Sequence, residues 1–188
     1  MALENVTAAR VRSVLVLGGA RSGKSAYAQS LAEAHASERL YVATAEPADE
    51  EMAARIARHR ADRGKSWTTL EEPLKVPQAL RSLAHPGGVI LVDCLTLWLS
   101  NLMLAGRDPE AAIARLADAI GALAGPAILV SNEIGMGLVP EHKLGRDFRD
   151  WQGRANHKIA QACDAAVFLA AGLPVQLKPA PPPSLRLT

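Results

Sequence analysis

The segment GGARSGKS, Gly18 to Ser25, follows the order G-x-x-x-x-G-K-[ST], the pattern of a loop that wraps a nucleoside polyphosphate. Gly18, Gly19 and Gly23 let the backbone curve closely around phosphate oxygens, while the amides of Ala20, Arg21 and Ser22 and the start of the following helix supply partial positive charge. Lys24 is expected to reach the β- and γ-phosphates, and Ser25 to place its hydroxyl on Mg²⁺. A glycine turn that merely precedes a helix would share part of this pattern, but here an apolar strand leads in and a helical composition leads out. Asp93 ends the apolar run Val89 to Val92, where an acid would complete the Mg²⁺ site; the alternative is a carboxylate capping a helix over Leu95 to Leu99.

A second group lies in the segment Glu50 to Arg63. As one helix, opened by Pro47 and Asp49 and stopped near Gly64, it aligns Met52, Ile56, His59 and Arg63 on one face. Periodicity alone favours a packed, hydrogen-bonded histidine. The crowding of Arg58, Arg60 and Arg63 points elsewhere, because like charge favours the neutral, nucleophilic imidazole and the same guanidiniums suit a polyphosphate. A solvated basic helix face is the alternative for the arginines.

The elements that must position these groups follow from short apolar runs alternating with helical patterns. Strands are expected at Val14 to Leu17, Leu40 to Ala43, Val89 to Val92, Ala127 to Val130 and Ala166 to Ala170. Helices are expected at Ser25 to Ala36, Ile113 to Leu123 and Arg146 to Ala162, besides the one from Pro47. This alternation implies one α/β domain of the P-loop NTPase type, a mostly parallel sheet with helices on both faces. Its predicted span is residues 14–178, between a loosely ordered lead-in at 1–13 and a Pro-rich tail at 179–188.

Composition narrows the function. With 188 residues and a formal net charge of +2, the chain suits a single domain and argues against a nucleic-acid-coating surface. Cys94 and Cys163 have no metal-ligand spacing and read as reduced thiols of a cytoplasmic protein. Val89 to Ala105 is interrupted by Asp93, Ser100 and Asn101, so stable membrane insertion is not expected.

Three segments, LVLGGARSGKSAYAQSLA (Leu15 to Ala32), YVATAEPADEEMAARIARHRADRGKSWTTLEEP (Tyr41 to Pro73) and VSNEIGMGLVPEHKLGRDFRDWQGRANHKIAQACDAAVFLAAGLP (Val130 to Pro174), resemble the bifunctional adenosylcobinamide kinase / adenosylcobinamide-phosphate guanylyltransferase family of cobalamin biosynthesis. The P-loop is common to many families; the other two segments are far more specific. The resemblance implies phosphorylation of adenosylcobinamide from ATP or GTP, then transfer of GMP from GTP to adenosylcobinamide phosphate through a guanylyl-histidine. By its position in RIARHRADR that histidine is His59. The same resemblance assigns the nucleotide site to Gly18 to Ser25, to Thr44, Ala45 and Glu46, to Arg60, Ala61, Asp62 and Arg63, and to Glu71 and Asp93. It makes a homo-oligomer plausible.

Where the family often has Gln this chain has His157, expected to serve the surface or the packing. The glycine-containing segment Asn132 to Val139 reads either as an ordinary strand-to-helix connection or as a loop meeting the bulky corrinoid. A small-molecule kinase of another pathway and a P-loop regulatory NTP-binding module are the competing functions.

Overall fold

The computed structural model describes residues 11–46 and 66–180. The helix predicted from Pro47, with His59, Arg60, Ala61, Asp62 and Arg63, lies outside the described residues. So do residues 1–10 and 181–188.

Strand β1 (Ser13–Gly18) is buried along its whole length, as a continuous apolar run in the middle of a sheet must be. It feeds helix α1 (Lys24–His35) and strand β2 (Glu38–Ala43). After the gap come β3 (Thr68–Glu71), α2 (Val76–Leu83), β4 (Gly88–Asp93), α3 (Leu95–Leu104) and α4 (Pro109–Gly121). The chain continues with β5 (Ala127–Asn132), α5 (Lys143–Ala162), β6 (Ala165–Ala170) and β7 (Leu173–Lys178). The seven strands form one sheet in the order β3-β2-β4-β5-β1-β6-β7. All pairs are parallel except β6 with β7.

Side chains alternate across this sheet. Leu15, Leu17, Val92 and Leu129 join the larger core with Trp98, Leu99, Leu116 and Ile159 of α3, α4 and α5. Val14, Val16, Leu91 and Val130 join the smaller core with Ala28 and Ala32 of α1. Both faces are therefore covered, as the alternating pattern predicts. Helix α5 shows why its sequence folds this way: Gln152, Ala155, Asn156 and Ile159 are buried at helical spacing while the rest of the helix is more exposed. Helix α4 begins with Asp108 accepting from the Glu110 amide and with Pro109 at its first position, a pairing that satisfies the open amides of a helix start.

Three elements go beyond the sequence reading. β3 and β7 are edge strands, and α2 carries Pro77 in its first turn. The series does not close at Ala170, because the chain turns back through β7. β1 opens at Ser13, and the amides of Arg12 and Ser13 both donate to Asp164 Oδ2, at 2.8 and 3.1 Å, which ties the chain's entry into the sheet to the start of β6.

Candidate functional site

The C-terminal ends of the parallel strands bring the candidate residues to one rim. Gly18 lies opposite Asn132, Ala43 lies between Asp93 and Glu71, and Val130 lies opposite Asp93. β5 thus separates the glycine loop from Asp93 by one strand. Alternation puts Asp93, two residues beyond Leu91, and Asn132, two beyond Val130, on the face that α1 covers.

The loop after β1 has the backbone that its glycines predict. Gly23 sits at φ 95° as the residue before α1, and Arg21 takes a left-handed φ of 57°. A Cβ on Gly18 would come within 2.5 Å of the Leu169 carbonyl oxygen, so only glycine fits against β6. The loop is braced from both neighbouring strands. The Gly172 amide, in the turn between β6 and β7, donates to the Ser22 carbonyl at 3.0 Å, and the Glu133 amide donates to the Gly18 carbonyl at 3.0 Å. Ala20 and Arg21 are exposed at its tip.

Lys24 is buried, and its ammonium donates to the Gly19 carbonyl and, at 3.4 Å, to Ser22 Oγ. Burial pulls its pKa below the usual lysine range, while Cys94 and the Asp93 carboxylate partly offset the shift. A cation held in this way gains from a polyphosphate more than a solvated one does. Ser25 follows it in the first turn of α1, half-buried.

Asp93 Oδ2 accepts from the Tyr41 hydroxyl at 2.8 Å, and Tyr41 in turn stands edge-on to Trp67, ring centroids 6.2 Å apart. Thr44 is fully buried: its Oγ1 donates to the Cys94 carbonyl and accepts from the Cys94 amide, both at 2.7 Å, and its carbonyl accepts from Asn101 Nδ2 at 2.8 Å. That hydroxyl stitches β2 to β4, whereas Ala45 and Glu46 beyond it are progressively more exposed. Glu71 ends β3 with an exposed side chain. Of the predicted set, Gly18 to Ser25, Thr44 to Glu46, Glu71 and Asp93 thus share the rim, and His59 to Arg63 lie outside the described residues.

A hard cation would meet oxygen donors here, the Ser25 hydroxyl and the Asp93 carboxylate. No cluster of three or more His, Cys, Asp or Glu occurs among the described residues. The oxygen donors suit Mg²⁺, which keeps several waters and binds through one or two protein oxygens plus phosphate.

Sequence reasoning missed a buried polar cluster behind the rim. Ser131 Oγ donates to Asn156 Oδ1 at 2.7 Å, Gln152 Nε2 donates to both at 2.9 Å, and Asn156 Nδ2 donates to the Asn132 carbonyl at 3.0 Å. Polar residues inside an otherwise apolar helix stripe were the available signal. Glu133 Oε1 accepts from the Gly135 amide at 2.6 Å. His157 is exposed and its Nε2 lies 3.0 Å from Gln161 Nε2, a surface position as expected. No helix among the described residues is long and apolar enough to cross a membrane.

Comparison with known proteins agrees with this geometry. Residues 14–177 match the family model described as cobinamide kinase / cobinamide phosphate guanyltransferase. The chain is 48% identical over 170 residues to the bifunctional adenosylcobalamin biosynthesis protein CobP of Pseudomonas aeruginosa, covering 89% of this chain and 98% of that protein. It is 37% identical over 180 residues to the Escherichia coli protein of the same description, CobU, covering 88% and 99%. In fold it is similar to the P4 protein of bacteriophage phi6 in complex with ADP, with a TM-score of 0.50, 14% identity, and coverage of 87% of this chain and 52% of that one.

Proposed function

The chain belongs to the cobinamide kinase / cobinamide phosphate guanyltransferase family, and from that premise we propose that it carries out two successive transfers from nucleotides held at the rim. In the first, the hydroxyl oxygen of adenosylcobinamide attacks the γ-phosphorus of ATP or GTP, the bond to the β-phosphate oxygen breaks, and the hydroxyl proton leaves to solvent. In the second, a nitrogen of His59 attacks the α-phosphorus of GTP and pyrophosphate departs. A phosphate oxygen of adenosylcobinamide phosphate then displaces the imidazole, giving the GDP-linked product.

The observation that carries this reading is the Gly18 to Ser25 loop, bent through a left-handed Gly23 into α1 with Lys24 buried in it and Asp93 one strand away. Lys24 and the loop amides neutralise phosphate oxygens on which charge builds in the transition state. Mg²⁺ held by Ser25 and Asp93 would add charge neutralisation there. Glu71 offers a carboxylate to the N1–H and amino group of guanine. The assignment of His59, and of Arg60 to Arg63 beside it, rests on the resemblance of RIARHRADR. Dependence on ATP and GTP fits a cytoplasmic enzyme, and the exposed row Leu173, Val175 and Leu177 on edge strand β7 supports self-association.

The test is to incubate the protein with α-labelled GTP and Mg²⁺. Acid-labile, base-stable label on the protein that is absent in His59→Ala is the expected result, and label that persists in that variant would falsify the nucleophile. A parallel incubation with adenosylcobinamide, ATP and GTP should yield both the phosphate and the GDP-linked product by mass.

A further inference from the structure

Between β5 and α5 the chain presents an apolar platform beside the phosphate loop. Met136 is 81% exposed, Leu138 96% and Val139 67%, and the run Ile134 to Pro140 contains no charged residue. These side chains are not outward because the loop is slack. The Gly135 amide donates to Glu133 Oε1 at 2.6 Å, and Arg149 Nη2 donates to the Gly135 carbonyl at 2.6 Å. Arg146 Nη1 donates to the carbonyls of Pro140 and Glu141, at 3.2 and 2.5 Å. Two arginines of α5 thus hold the loop backbone from one side and leave its apolar side chains to solvent.

The platform is continuous with the nucleotide cradle. Its first anchor, the Glu133 amide, bonds to the Gly18 carbonyl at 3.0 Å. Met136 follows three residues later, so its Cα lies within about 11 Å of that of Glu133. On its far side, Pro140 comes close to Gly145, where an added Cβ would sit 2.8 Å from Pro140 Cβ. Beyond that contact, a slot of about 250 Å³ opens between the end of α3 and the start of α5, lined by Met103, Leu104, Leu144 and Phe148 among others. The phosphates of a nucleotide need the loop amides and Lys24, not an uncharged apolar surface. The remaining substrate is a broad macrocycle edged with methyl groups and uncharged amides, which brings its hydroxyl on a flexible arm.

We propose that Met136, Leu138 and Val139, backed by Arg146 and Arg149, form the platform on which the corrinoid ring rests while its arm reaches the phosphate held by the Gly18 to Ser25 loop. The assignment rests on the two-step reading above and adds to it the face from which the acceptor comes. A second copy of this chain is the competing occupant of the same surface.

The experiment compares wild type, Leu138→Asp and the paired variant Met136→Ser/Leu138→Ser in three measurements: steady-state kinetics with adenosylcobinamide, covalent labelling by α-labelled GTP without corrinoid, and sedimentation. Burying one leucine is worth enough that the KM for adenosylcobinamide should rise roughly tenfold or more in both variants. The KM for the nucleotide and the extent of labelling should stay at the wild-type level. Because Leu138 is almost fully exposed, neither change removes a core contact. An unchanged KM for adenosylcobinamide in both variants overturns the proposal. So does a change of subunit number without a change in that KM, and so does a fall in labelling as large as the fall in corrinoid turnover. A wild-type protein that neither labels nor phosphorylates adenosylcobinamide would instead sink the two-step reading itself.

Discussion

Tyr41 Oη donates to Asp93 Oδ2 at 2.8 Å, so the carboxylate at the end of β4 is oriented from the neighbouring strand β2. Removing that hydroxyl should leave the ring packed on Trp67 and release the carboxylate. Tyr41→Phe is expected to lower stability by about 1 kcal/mol, to raise the Mg²⁺ concentration needed for half-maximal turnover, and to cut kcat several-fold. A Mg²⁺ titration of initial rates checks it. An unchanged titration curve would separate Asp93 from the metal.

Gly23 is held at φ 95°, where a side chain costs about 1–2 kcal/mol. Gly23→Ala should destabilise the protein by that amount in urea and weaken GTP binding further, because the loop amides move. Gly121, at the end of α4 with nothing near its would-be Cβ, is the control. Gly121→Ala should keep full GTP affinity and equal or higher stability, and titration calorimetry distinguishes the two.

Lys24→Met should abolish both activities without unfolding the protein. Burial lowers the folded-state pKa of Lys24, so the unfolded chain binds that proton more tightly. Stability therefore rises with pH between the lowered folded value and the unfolded value of about 10.4. The methionine variant is expected to match or exceed wild type in urea at pH 7, and its advantage should shrink toward pH 10. A lower midpoint than wild type at pH 7 would mean that the ammonium contributes net stability through Gly19.

At the other end of β1, Asp164 is exposed. The small burial it has would raise its pKa, but the amides of Arg12 and Ser13, the Ser13 hydroxyl and the Arg12 charge outweigh that and lower it. A carboxylate with a depressed folded pKa adds stability above its unfolded value of about 3.9, and the gain is lost as pH falls through the folded value. Asp164→Asn should shift the urea midpoint downward at pH 7, and the two curves should converge near pH 2.

The parallel sheet was legible in the sequence because its central strands are short apolar runs buried on both faces, as at Val14 to Leu17 and Val89 to Val92. β3 and β7 were not, since edge strands expose most of their residues: Thr68 to Glu71 has no apolar alternation, and Pro174 interrupts the β7 run. Pro77 hid α2 in the same way, although a proline in the first turn costs a helix nothing. At the site, local pattern carried the positions of Gly18 to Ser25, through the motif, and of Asp93, through the end of the apolar run Val89 to Val92. It carried neither the Tyr41 hydroxyl nor the pairing of Ser131 with Gln152 and Asn156, because contacts between residues 21 to 52 positions apart leave no local pattern. Thr44 shows the converse, a residue assigned to the nucleotide site whose hydroxyl is committed to the Cys94 backbone.

The two bridges that clasp the glycine loop, from Glu133 to Gly18 and from Gly172 to Ser22, join segments encoded far apart in the message. During synthesis the loop leaves the ribosome early, yet both of its clamps arrive only after β5 and then the turn beyond β6 have emerged. Capacity to grip a nucleotide should accordingly be among the last properties a growing chain acquires, and fragments ending before residue 165 should have the motif without the grip.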